Sequence, residues 1–388
     1  MRRAAEGRTA LGLVTLVVWA LATGCDVGPT SSSQQTPPSG NLWTWGPFPT
    51  PVHMNLASGV RFTRLAGSAY HLMGLDSKGQ AWAWGFNDSG QLGNNSTRPR
   101  PEPGAVQMPS GITFKAIAAG DGDSFALDVN GHAWAWGNNR QGQLGNGSTA
   151  NSSVPVAVIM PPGVEFTSIT AGAHTVALDK NGQAWAWGYN RDGELGDGSI
   201  KDSSRPVRVR MIAGVRFMAI AAGTDFTIAL DQDGHPWAWG YNDHGELGLG
   251  TSGPRSTPVQ LTLPDGIAFT VISAEVQHTL ARDRNGKAWT WGFTNVHNQG
   301  SLSTAIFSSP TPVPMPAGVV FATIAAGPDH SLALDQSGQA WGWGDDSNYQ
   351  LGDGKARYAF NPVAVSMPKG VRFSELAAGI CCSFALSG

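Results

Sequence analysis

Four histidines, several aspartates and one glycine-rich string are the residues of this chain whose types and spacing could do chemistry. His71, His174, His278 and His330, set beside carboxylates, could act as general acids and bases or hold a metal ion. Gly248-Leu249-Gly250-Thr251-Ser252-Gly253 has the letters of a dinucleotide fingerprint, and Asp231-Gln232-Asp233-Gly234 hints at calcium. Each of these loses its chemical reading in context. Pro254 follows the glycine string and no helical pattern does, so a phosphate-binding turn is not expected there. The Asp-x-Asp-Gly run lacks the remaining ligands of a calcium loop. The four histidines occupy one equivalent place in a repeat, a place that Asp123, Phe226 and Cys382 take in other copies. A catalytic or metal-binding histidine has no reason to recur in separate repeats, so a structural hydrogen bond is the expected role. With no nucleophile elbow, zinc helix or P-loop in the sequence, the chain is expected to be non-catalytic and to need neither metal nor cofactor.

The repeat that positions these residues is written in tryptophan. Seven pairs, Trp43/Trp45, Trp82/Trp84, Trp134/Trp136, Trp185/Trp187, Trp237/Trp239, Trp289/Trp291 and Trp341/Trp343, each end in glycine, and from the second pair onward they recur every 51 or 52 residues. Each unit is one supersecondary element that cannot bury its apolar surface alone. In the unit 163–214 the alternation of residue types predicts four strands, over 166–171, 174–179, 183–187 and 206–210. Asp179-Lys180-Asn181-Gly182 reads as a tight hairpin between the second and third. Four antiparallel strands per 52 residues is the dimension of a propeller blade. Residues two apart on a strand share a face, so both indoles of a pair meet one neighbouring blade. The small residue between them, such as Ala186 or Gly342, faces the other.

The chain ends predict how the ring closes. The segment 370–388 supplies the first two strands of a unit and stops where the hairpin glycine should be, while 40–46 is the missing third strand. Joining them makes a seventh blade and leaves no bare sheet edge. The expectation is an all-β, seven-bladed propeller over 40–388, in one domain.

Residues 1–25 read as an export signal. Arg2, Arg3 and Arg8 precede a twelve-residue apolar run over 11–22, too short to span a bilayer permanently. Leu21-Ala22-Thr23-Gly24-Cys25 resembles the lipobox of bacterial lipoproteins, with Ala22 where leucine is favoured. That resemblance implies lipidation of Cys25 and a membrane-anchored lipoprotein, periplasmic or at the cell surface; without lipidation the protein would be secreted. The Ser/Gln/Pro-rich stretch 26–40 would be a flexible tether. A net charge of −3 offers no basic footprint for nucleic acid. Cys381 and Cys382 are adjacent, which leaves open a strained vicinal disulfide or two buried thiols.

The units resemble the regulator of chromosome condensation repeat family over 40–388. Two motifs carry the resemblance: Ala326-Gly327-Pro328-Asp329-His330-Ser331-Leu332-Ala333-Leu334, and Trp136-Gly137 continued by Asn139 and Gly142 to Gly145. The fifth full unit departs from both, with Glu275 at the motif glycine and the Gly-Gln-Leu-Gly loop replaced by 293–301. No long insertion resembles the wedge by which the founding member engages a small GTPase, which argues against nucleotide exchange. The family also resembles secreted propellers that inhibit β-lactamases, so a protein inhibitor is one alternative and a glycan-binding lectin another.

Function then rests on loops carried by a rigid scaffold. Because strands alternate in direction, the loops after the first and third strands emerge on one face, and the Asp-x-x-Gly hairpins on the other. That first face is where the units differ. It is expected to offer Tyr70, Asp121, Asp123, Asp225, Phe226 and Asp329 from one loop set, and Phe86, Tyr189, Tyr241, Phe293, Asp345 and Asp346 from the other. Exposed aromatics with a few charges are the composition of a protein-binding hot spot. The expected protein is an envelope-tethered monomer that binds a protein partner through this face.

Overall fold

The computed structural model describes residues 40–298 and 301–388, and the export signal, Cys25 and most of the tether lie outside them. Seven four-stranded antiparallel sheets are arranged as blades, numbered here in chain order: blade 1 over 62–105, blade 2 over 114–157, blade 3 over 166–208, blade 4 over 217–260, blade 5 over 269–312, blade 6 over 321–364, and blade 7 from both termini. In blade 7 Ser383–Ser387 pairs with Leu42–Trp45. The register sets Trp43 opposite Ala385 and Trp45 opposite Ser383, so the ring closes as the chain ends predict.

Blade 3 shows how the sequence builds each unit. Its strands are Phe166–Ala171, His174–Asp179, Ala184–Gly188 and Ser203–Arg208. The fourth begins three residues before the predicted start, because Ser203 already pairs with Gly188 and the ladder shifts register before Val207 meets Ala186. Pro206 lies inside this outer strand, where a missing N–H removes no ladder bond. At the hairpin, Asp179 Oδ1 accepts from Asn181 N at 2.8 Å and Gln183 N at 3.1 Å, and Oδ2 accepts from Trp185 Nε1 at 3.2 Å. Gly182 turns the chain with φ of 75°, a conformation glycine adopts without strain. The same aspartate–indole bond joins Asp231 to Trp237 and Asp335 to Trp341.

The two indoles of a pair therefore do different work. In six blades the first ties down its own hairpin, and the second packs inward against the preceding blade. Trp187 stacks on Phe166 of its own blade at 5.9 Å and packs on Phe125, Leu127 and Leu144 of blade 2. Ala186 faces the other way, toward Trp237 and Trp239 of blade 4. A stack of phenylalanine on the second tryptophan recurs in all seven blades, with ring centroids 5.9–6.3 Å apart. Large flat groups on one side of each blade and small residues on the other let the sheets approach closely.

Candidate functional site: one loop face of the ring

The loops after the first and third strands are bonded to each other by backbone. Phe86 N donates to Tyr70 O at 3.0 Å, Tyr241 N to Asp225 O at 2.8 Å, Phe293 N to Gln277 O at 2.9 Å, and Asp345 N to Asp329 O at 2.9 Å. Around the axis the first-strand loops of successive blades are joined as well. Asp121 N donates to Gly172 O at 3.2 Å, Ala173 N to Thr224 O at 2.9 Å and Thr224 N to Val276 O at 3.4 Å. Gly172 allows this closeness, since a Cβ there would collide with Gly223 O. The face is thus a cross-braced rim, suited to presenting side chains at fixed positions.

The second loop set is held from below. In blade 2, buried Asn139 accepts from Leu144 N at 2.9 Å and donates to Ala150 O at 2.9 Å; Asn87 and Asn190 do the same in blades 1 and 3. The loop then turns Leu144 into the gap between blades, where Trp187 Nε1 donates to Gln143 O at 2.7 Å. Glu194 and Asp346 stand where other blades have the amides Gln and Asn, and both are buried. Burial pushes Glu194 up to about 7 and Asp346 up to about 6.

The face carries two aromatic clusters around an acidic centre. Tyr70 lies 6.3 Å from Phe86, and Tyr241 and Phe293 lie 6.1 Å and 5.4 Å from the ring of His244. Arg191 covers Tyr189 at 6.0 Å. Nearer the axis, burial raises Asp121 and Asp123, brings Asp225 up to about 6, and raises Glu275 well above the usual carboxylate range; the Asp121 charge adds to the rise of the other three. Tyr70 feels both Asp121 and Glu275, which places its hydroxyl at the edge of this acidic group.

Of the face residues expected from sequence, Tyr70 and Asp329 are exposed, while Phe86, Asp121, Tyr189, Asp225, Tyr241, Phe293 and Asp345 are half-buried at the rim. Three do not belong to the surface, among them Asp346, which is 0% exposed because it turns inward to accept from Leu351 N at 2.8 Å. Asp123 is 1% and Phe226 0% exposed, because both occupy the histidine place, which points between blades. Glu275 and His244 also belong to the face, beyond the residues that loop position suggests. Glu275 replaces a motif glycine at the axis, and His244 bridges Tyr241 to Phe293; its place at the turn of a loop inserted between two aromatic positions was the available signal.

The buried histidines are structural. His71 Nε2 meets Ser124 Oγ at 2.7 Å, His174 Nε2 meets Thr227 Oγ1 at 2.6 Å, and His330 Nε2 meets Ser383 Oγ at 2.9 Å, in each case across to the next blade. Ser124 Oγ in turn donates to Gln91 O. Burial drives His71 down to about 3 and His174, His278 and His330 to about 4, so they are neutral at pH 7. A histidine–serine pair at this distance has the geometry of a nucleophile and base, but here both partners are sealed inside an interface that the ring repeats. Asp231, Asp233 and His235 can bring ligand atoms within 4.8 Å of one another, yet Asp231 already accepts from Asp233 N, His235 N and Trp237 Nε1. That group is a hairpin on the opposite face. Cys382 is a free, buried thiol pushed up to about 12, which excludes the vicinal disulfide.

The family described as the RCC1-like domain matches residues 40–385. The ultraviolet-B receptor UVR8 of Arabidopsis thaliana is 29% identical over 310 residues, covering 79% of this chain and 70% of its own. The E3 ubiquitin-protein ligase HERC2 of Homo sapiens is 27% identical over 361 residues, which is 88% of this chain but 7% of the ligase. Among solved structures, Prp20p of Saccharomyces cerevisiae superposes with a TM-score of 0.77 at 22% identity, covering 89% of this chain and 91% of that one, and its description includes binding to Gsp1p and histones.

Proposed function

The chain belongs to the RCC1-like domain family, and on that premise we propose that it is a non-catalytic protein-interaction module that captures a partner on the aromatic and acidic loop face. The observation that carries this reading is the pairing of rigidity with display. Two loop sets bonded backbone to backbone hold Tyr70 with Phe86, and Tyr241 with His244 and Phe293, around partly buried carboxylates. Aromatic groups fixed in advance lose little conformational entropy on binding and are the usual anchors of hot spots. The rim carboxylates Asp225, Asp329 and Asp345, which are exposed or half-buried, favour a partner with a basic surface, through complementary potential and faster encounter. The description of Prp20p, which names two protein ligands, agrees with a binding role for this ring. The export signal and Cys25 would place the module outside the cytoplasm on a lipid anchor, as a monomer.

The test is a pull-down with the full chain beside a Tyr70→Ala/Tyr189→Ala/Tyr241→Ala variant. These side chains are exposed or half-buried, so the fold should survive and capture should be lost. Equal capture by the two proteins would defeat the assignment of the face.

A further inference from the structure

Between blades the ring has a recurrent plug, and one interface lacks it. Leu92, Leu144, Leu195, Leu247 and Leu351 are each 0–1% exposed and fill the gap toward the following blade. At four of these five leucines the carbonyl just before accepts from the next blade's second tryptophan: Gln91 O from Trp136, Gln143 O from Trp187, Glu194 O from Trp239 and Gln350 O from Trp45, all at 2.7–2.8 Å; beside Leu247, Trp291 Nε1 makes no hydrogen bond. At three of these interfaces the same oxygen also accepts from a hydroxyl, of Ser124, Thr175 or Ser383, at 2.8–3.3 Å. The leucine is what every filled slot of this kind holds, and at four of the five the carbonyl before it is bonded as well.

In blade 5 the third and fourth strands run on as Ala288–Asn298 and Ser301–Pro312, and among the residues whose side chains are described none supplies a plug leucine. A cavity of about 300 Å³ lies there, lined by Thr290, Val313, Trp343 and Ser331 among others. Thr290, Val313 and Trp343 are the counterparts of Ala186, Val209 and Trp239, which enclose Leu195 between blades 3 and 4. Trp343 is 7% exposed where its six equivalents are 0%. Ser331 Oγ has only a 3.4 Å contact with His278 Nε2, and no backbone carbonyl like that of Gln143 stands before it among the described residues. Blade 7 also lacks the plug, but there Trp84 is fully covered by neighbours that include Leu42 and Phe384. Among the described residues, the second tryptophan is more than 0% exposed at the 5–6 interface alone. Phe293, at its mouth, belongs to the loop face.

We propose that the cavity between blades 5 and 6 receives a peptide segment of the partner, seating a leucine side chain in the slot with the preceding backbone carbonyl on Trp343 Nε1 and Ser331 Oγ. This rests on the interaction reading above and specifies the partner's chemistry. A pocket of this volume, largely apolar with two converging donors, matches ordinary ligand sites in size and composition. The donors are positioned by the same strands that hold them at the filled interfaces, so little reorganisation opposes binding.

The experiment follows the indole Nε1–H signal of Trp343 by NMR in the full chain labelled with ¹⁵N-tryptophan, assigned by its loss in Trp343→Phe. The probe is acetyl-Gly-Gln-Leu-Gly-amide, with an analogue carrying glycine for leucine. The expected result is a saturable shift of the Trp343 signal by the leucine peptide, with the analogue at least about tenfold weaker. Asn361→Trp, at an exposed place on the cavity rim, should keep the melting temperature and abolish the shift. No shift at millimolar peptide, equal shifts by both peptides, or equal saturation by 4-methyl-2-pentanone would overturn the peptide assignment. Peptide binding together with unimpaired capture by the triple tyrosine variant would sink the face and leave the cavity standing; loss of capture in that variant without peptide binding would do the reverse.

Discussion

Replacing Glu194 by glutamine should stabilise the protein, and only where the carboxyl is ionised. Glu194 is 0% exposed, its Oε2 accepts from Asp192 N at 2.9 Å, and its Oε1 has no hydrogen-bond partner. Gln143, at the same place in blade 2, keeps the equivalent acceptor bond to Gln141 N at 2.9 Å and also donates from Nε2 to Gln141 Oε1 at 2.8 Å. In blade 3 the carboxylate of Asp192 stands in the position of Gln141, ready to accept. Burial raises Glu194 from 4.5 to about 7, so the folded state holds the proton more tightly than the unfolded chain. The wild type is therefore favoured by protonation below pH 4.5, loses that stability as pH rises to about 7, and carries the whole cost above it. At about 1.36 kcal/mol per pKa unit the cost approaches about 3 kcal/mol, and water penetration near the loops reduces it to about 2 kcal/mol. With about 2.1 cal/mol/K of unfolding entropy per residue over about 350 residues, that corresponds to about 3 °C in Tm. Calorimetry of wild type and Glu194→Gln at pH 4 and pH 8 should show no difference at the lower pH and a gain of about 3 °C at the higher. A gain of equal size at both pH values, or none at pH 8, would refute the claim that buried charge is the cause.

The same logic applies to Asp346, which accepts from Leu351 N at 2.8 Å while its Oδ2 lacks a partner. Asp346→Asn should restore the donor seen at Asn139 and raise stability by about 1 kcal/mol above pH 6, with no gain at pH 4, checked by the pH dependence of thermal melting. At the interface of blades 4 and 5, Phe226 stands where histidine would meet a hydroxyl, and Thr279 Oγ1 is left unpaired. Thr279→Val should be neutral or stabilising by up to about 1 kcal/mol, whereas Thr227→Val, whose hydroxyl meets His174, should cost about 1–3 kcal/mol in denaturant titration.

The fold was legible because its dominant signal is redundant. Seven tryptophan pairs, six of them at near-constant spacing with a hairpin aspartate and glycine nearby, and the seventh at the start of the folded part where the last unit breaks off, specify strands, blade count and closure together. What escaped was governed by neighbours rather than by spacing. The start of the fourth strand depends on pairing with Gly188 across a register shift, not on Pro206. Loop position points Asp123 and Phe226 to the face, but the histidine place they fill points into the next blade. The cavity beside Trp343 could not be read from the loss of a loop alone, because blade 7 loses the same loop and fills the gap. Tyr70, Phe86, Tyr189, Tyr241 and Phe293 do reach the rim, and sequence could point to them because aromatic residues at loop positions vary between otherwise matching units.

The most direct test of the central claim is site-specific photocrosslinking in the producing cells, with the reactive side chain placed at Tyr241 on the loop face or at Val129, an exposed hairpin residue on the opposite face. The account predicts one discrete protein adduct from Tyr241 that disappears when Tyr70 and Tyr189 become alanine, and none from Val129. The same adduct from both positions, or an adduct from Tyr241 that survives those substitutions, would contradict it.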